Sequence, residues 1–154
     1  GLAEVDDLPE SLLADPVWER SGRTRRGRDG CRVPLPWSRS GPSLGFGSAA
    51  PWLPQPAEWS ALSAEAEEVD HTSMLWLYRD ALRLRRELTE LHGDLYSWME
   101  LGEEVIAFSR GDRFTCVVNF GAQPIDLPAG EVLLSSVPMD GVVPADAAAW
   151  VKPA

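Results

Sequence analysis

A single stripe of apolar residues, Leu77, Ala81, Leu84, Leu88 and Leu91, constrains this chain more than any other feature. Steps of three and four place these side chains on one face of a helix. Arg79, Arg83, Arg86 and Glu90 fall away from that face, so the spacing predicts an amphipathic helix over about 72–91. Asp70 stands where an N-cap belongs and Gly93 where such a helix stops. Arg83 with Glu87, and Arg86 with Glu90, are spaced for i,i+4 pairs worth about 0.2–0.5 kcal/mol each. The helix divides a loop-rich first part, 1–70, from a last part that alternates like β-structure.

The first part is rich in Pro, Gly, Ser and Trp and offers only short helices, one over 8–13 and one over 60–69. Ser63 is a candidate cap for the second, and Glu65, Glu67 and Glu68 read as solvated charge at its positive end. Within this part runs Gly27-Arg28-Asp29-Gly30-Cys31-Arg32-Val33-Pro34-Leu35-Pro36-Trp37. Pro34 and Pro36 bracket Leu35, and their fixed φ and missing N–H rule out a helix there. A stiff segment carrying Arg32 suits presentation of a guanidinium, whose fork of donors matches carboxylates and sugar hydroxyls. So long an irregular run needs contacts with something else to be pinned. It is the part least expected to be ordered alone.

The last part predicts antiparallel strands over 96–101, 105–110, 113–120, 131–135 and 148–152. Gly111 and Asp112 read as the two central residues of a tight hairpin. Pro124 and Pro128 limit 125–127 to a short edge strand.

A net charge of −10 argues against a general nucleic-acid or membrane binder. An apolar content of 44% with seven tryptophans excludes a wholly disordered chain. No stretch reaches the length of a membrane span. Arg20, Arg23, Arg25, Arg26 and Arg28 form a basic run that reads as a local anion-binding or docking loop rather than a nucleic-acid reader. Trp37, Trp52 and Trp59 are either packing anchors or an aromatic platform for sugar rings. His71 and His92 flank the helix without metal spacing, and no metal or cofactor is expected. Cys31 and Cys116 read as a reduced pair of small core residues rather than a disulfide.

The segment 27–37 resembles the Arg-Thr-Pro-Met-Gln-Trp-type motif of the α-glucosidases and oligo-1,6-glucosidases of glycoside hydrolase family 13, the actinobacterial branch in particular. The likeness continues in Asp15-Pro16-Val17-Trp18-Glu19-Arg20, Gly45-Phe46-Gly47, Trp52-Leu53-Pro54-Gln55-Pro56, Leu77 to Arg85, and Phe114 to Phe120. Val33, Leu35 and Pro36 replace the commoner Thr, Met and Gln, so polar contacts from those positions are not carried over. The resemblance implies an α+β chain. Residues 1–93 would be the loop-rich end and final helix of a truncated (β/α)8 barrel, and 94–154 a small antiparallel β-sandwich.

The parent reaction would be retaining hydrolysis of terminal α-linked glucose in oligosaccharides, with the trehalose- and sucrose-processing members also open. The family's nucleophile sits in a Gly-Phe-Arg-x-Asp-type strand and a third carboxylate in an Asn-His-Asp run. Neither pattern occurs here, so no catalytic residue is carried over. Arg32 is carried over as a substrate-binding residue closing the pocket for the non-reducing glucose; the alternative is that it merely ties its loop to Asp29. Arg28 and Asp29 would orient that loop. The expected partners are an α-glucoside, within the full enzyme only, and the missing catalytic barrel; the expected compartment is the cytoplasm. A free-standing carbohydrate-binding β module, or an accessory chain complementing a separate barrel piece, are the competing readings.

Overall fold

The structure, a computed structural model, describes residues 2–154. The chain divides into two compact units, one ending at Trp76 and one starting at Leu77.

The first unit is built on prolines and caps rather than on long elements. Helix α1, Pro16–Arg20, was not anticipated; Asp15 accepts from the Val17 N–H and Pro16 supplies the fixed φ of the first turn. Helix α2, Ala64–Glu68, is capped as expected by Ser63, whose hydroxyl accepts from Ala66 N at 3.2 Å. The helix expected over 8–13 is one 3-10 turn, Glu10–Leu12. The irregular run packs around its own core of Leu8, Val33, Leu53 and Trp59.

Prolines leave the segment around Leu35 with unshared carbonyls, and neighbouring loops satisfy them. Ala64 N donates to Pro36 O at 3.2 Å and Glu65 N to Trp37 O at 3.0 Å. Gln55 Nε2 donates to both Pro34 O and Ser43 O, at 2.9 and 3.0 Å. Glu65 and Glu67, read from sequence as solvated charge, bind the N–H groups of Arg39 and Leu75 instead.

Helix α3 is Met74–Glu87, followed by a 3-10 turn over Thr89–His92. It is shorter than the expected 72–91 at its start, where Asp70 caps a turn through the Thr72 N–H rather than the helix. The stripe itself holds: Leu84 is buried, and Leu77, Ala81, Leu88 and Leu91 are half-buried. Arg83 pairs with Glu87 as expected and also with Asp80. Glu90 pairs with Arg113 at 3.5 Å rather than with Arg86.

Within the second unit, strands β1 (Ser97–Trp98), β2 (Val105–Arg110), β3 (Phe114–Asn119), β4 (Ile125–Asp126), β5 (Gly130–Ser135), β6 (Val142–Val143) and β7 (Ala147–Pro153) follow in order. They form a five-stranded antiparallel sheet, β1-β2-β3-β7-β5, and a two-stranded sheet, β4-β6. Strand β1 is shorter than expected and β6 was missed. Arg110 pairs with Phe114, so the hairpin loop holds Gly111, Asp112 and Arg113 rather than two residues. Gly111 takes the positive φ, +58°. Inward residues Ala107, Val117, Ala149 and Val151 pack with Val143 of β6, which places the core between the two sheets.

Candidate functional site

The Gly27–Trp37 run folds first into a 3-10 turn, Asp29–Arg32. Three residues per turn bring side chains i and i+3 over one another, so Asp29 and Arg32 lie side by side. Arg32 Nη1 is 3.1 Å from Asp29 Oδ1. A second carboxylate reaches the same guanidinium from outside the motif: Arg32 Nη2 is 3.1 Å from Asp15 Oδ2.

Both aspartates are buried, Asp29 to 1% exposure and Asp15 to 3%, while the Arg32 side chain remains 43% exposed. Each of their oxygens accepts at least one donor. Asp29 Oδ2 accepts the N–H groups of Ala14 and Asp15, each at 2.8 Å. Asp15 Oδ1 caps α1, and Oδ2 also accepts Arg28 N at 3.2 Å, with Arg28 Nε at 3.6 Å. Gly27 makes room for this: its φ is +76°, and a Cβ there would come within 2.6 Å of the Asp15 side chain.

The Val17 N–H, more than any other group, holds the Asp15 carboxyl below the usual carboxylate range, against burial and with help from Arg28 and Arg32. Burial acts most strongly on Asp29 and pushes it upward. The N–H groups of Asp15 and Ala14, together with Arg32, outweigh burial and leave it lowered. Two buried carboxylates and two guanidiniums thus form a charge-balanced cluster. Guanidinium carries five N–H donors, and the carboxylates engage only part of the Arg32 set.

Arg32, Arg28 and Asp29 therefore do come together, and the tie to Asp29 is present. Sequence reading missed Asp15, although Asp followed by Pro is a legible helix start. The remaining arginines of the basic run serve their own loop: Arg23 pairs with Glu19, and the Arg26 guanidinium donates to Leu8 O. Trp59 is a packing anchor at 5% exposure, whereas Trp37 and Trp52 are exposed. Leu35, Trp37, Leu62 and Met74 line an apolar groove of about 500 Å³ in this unit.

His71 stacks on Trp76, and a His92 ring nitrogen lies 3.0 Å from Arg85 O. Both cysteines are free; Cys116 is buried, but Cys31 is exposed and not a core residue. A hydrogen bond with Glu4 is the main cause raising the Cys31 thiol pKa, and burial raises that of Cys116. Among the described residues no cluster is arranged to hold a metal ion, and no helix is long and apolar enough to cross a membrane.

The family description "Alpha amylase, catalytic domain" matches residues 12–94, and "Domain of unknown function (DUF3459)" matches 101–150. A probable alpha-glucosidase of Rhizobium meliloti (strain 1021) is 32% identical over 121 residues, covering 77% of this chain and 22% of that protein. A probable oligo-1,6-glucosidase 3 of Bacillus subtilis (strain 168) is 37% identical over 62 residues, 40% of this chain and 11% of that protein. The crystal structure of an alpha-glucosyl transfer enzyme, XgtA, superposes with a TM-score of 0.74 at 30% identity, covering 99% of this chain and 31% of that one.

The fold and these likenesses define a glycosidase-type chain, part of a catalytic barrel followed by an antiparallel sheet domain. The chain belongs to the α-amylase family, glycoside hydrolase family 13, and is α-glucosidase-like within it. It spans less than a third of the length of these relatives.

Proposed function

We propose that this chain is the C-terminal portion of an α-glucosidase-like hydrolase and carries a sugar-contacting arginine, but not the carboxyl groups that cut the substrate. Retaining hydrolysis needs a nucleophile and an acid/base on either side of the scissile bond. Asp15 and Asp29 are buried, and each of their oxygens already accepts a donor, so neither is presented to attack a sugar or shuttle a proton. The observation that carries the reading is the half-exposed Arg32 side chain, its guanidinium anchored by those two carboxylates and left with further N–H groups for sugar hydroxyls. Arg28 and Asp29 orient the loop.

The whole enzyme would release terminal α-linked glucose from oligosaccharides in carbohydrate metabolism, in the cytoplasm. Its partner would be a catalytic barrel to which residues 1–93 belong, with 94–154 as the appended β domain. The apolar groove at Trp37 and Met74 supports such a partner, because exposed apolar surface of this kind marks a contact site. The test is hydrolysis of a chromogenic α-glucoside. The chain alone should give none, and activity should return on mixing with the barrel portion of a relative. Saturable maltose binding by the chain alone would favour a free-standing carbohydrate-binding module instead.

A further inference from the structure

We infer that Asp15 is a positioning residue for Arg32: with Asp29, it fixes the plane of the guanidinium so that the remaining N–H groups keep one direction. This rests on the reading of Arg32 as a sugar contact. Each carboxylate holds a different terminal nitrogen, Asp29 on Nη1 and Asp15 on Nη2, both at 3.1 Å. A guanidinium held at two corners cannot turn about its Cζ bonds without losing a charge-assisted hydrogen bond.

Asp15 is itself immobilised by contacts that do not involve the Arg32 side chain. It caps α1 through Val17 N at 3.0 Å, accepts Arg28 N at 3.2 Å, and is 3% exposed. It lies outside the Arg28–Arg32 motif in sequence, so the motif alone does not reveal it. An arginine fixed before the ligand arrives avoids the ordering cost that a long side chain otherwise incurs on binding. The balanced charge of the cluster suits a neutral hydroxyl oxygen better than an anion.

The test is guanidinium nitrogen NMR on the full chain, with Arg32 identified by the signals that vanish in Arg32→Lys. In the unaltered chain, Arg32 should show separate resonances for its two Nη groups, reporting blocked rotation. Asp15→Asn keeps the side-chain shape and the oxygen that caps Val17, and should collapse that pair into one signal while the Asn119 amide signals stay in place. Should Asp15→Asn fail to fold, acid titration of the unaltered chain replaces it. The Arg32 pair should then collapse together with protonation of the Asp15 carboxylate, followed by the shift of its carboxyl carbon signal.

A collapsed pair in the unaltered chain, or a resolved pair that survives Asp15→Asn or follows Asp29 alone, overturns the inference. The sugar reading is judged separately, in enzyme reassembled with a barrel portion. There Asp15→Asn and Arg32→Lys should each raise KM for the chromogenic glucoside several-fold more than they lower kcat. Unchanged kinetics in Arg32→Lys would overturn the sugar reading, while the NMR result would still decide the positioning.

Discussion

Asp29 Oδ1 and Arg32 Nη1 stand 3.1 Å apart, one turn of 3-10 helix from each other, with the carboxylate buried and the guanidinium half-exposed. The same carboxylate receives the N–H groups of Ala14 and Asp15. One side chain thus joins the start of α1 to the arginine-bearing loop. Asp29→Asn should loosen that junction, giving a lower melting temperature and faster amide exchange around residues 14–17.

Acid should act through the same pair. The folded-state pKa of both Asp15 and Asp29 is lowered. Their contribution is therefore complete above the unfolded value of about 3.9 and is lost as pH falls through the lower folded values. Melting temperature should drop below about pH 4 in the unaltered chain. The drop should be shallower in Asp29→Asn, and parallel curves for the two proteins would contradict this.

Gly27→Ala should disturb the cluster by direct contact with Asp15. The residue would be held at a φ of +76° with its new methyl 2.6 Å from the Asp15 Cβ. Left-handed strain costs about 1–3 kcal/mol, and the displaced Asp15 should release Arg32, measurable as lost stability together with a mobile guanidinium.

The β domain has its own weak points. Asn119, 1% exposed, donates to Gln123 O, Val143 O and Pro144 O and accepts Gly121 N, tying β3 to the segment carrying β6. Asn119→Ala removes all of these bonds within a buried site, at about 1–3 kcal/mol for a group left unsatisfied. Phe114→Ala, at 1% exposure, should cost about 3–5 kcal/mol through the cavity it opens. Denaturant unfolding checks both.

Much of this was legible in the sequence for local reasons. The leucine stripe of α3, the Ser63 cap and the runs that form β2 and β3 each depend on residue types and spacing within a short stretch. What was hidden depends on partners far along the chain. Strand β6, Val142–Val143, is too short to show alternation and exists because Ile125 and Asp126 pair with it. Strand β1 is cut to two residues, with Tyr96 and Trp98 exposed.

The site divided the same way. The motif displayed Arg28, Asp29 and Arg32, and a tie from Arg32 to Asp29 was one of the two readings; the 3-10 turn that brings them together was not visible. Asp15 approaches from 14 residues before Asp29, and only folding shows that its carboxylate turns towards the arginine as well as capping α1. Glu65 and Glu67 were misread because an acidic helix start looks solvated until a neighbouring N–H is found on it.

Turnover is the most direct check on the central claim. The chain should be incubated with a chromogenic α-glucoside alone, and then with the barrel portion of the Rhizobium meliloti relative, ended where its match to this chain begins. The expected result is no hydrolysis by either piece and hydrolysis by the mixture, lost when the chain carries Arg32→Ala. Hydrolysis by the chain alone, or a mixture as active with Arg32→Ala as without it, would contradict the account.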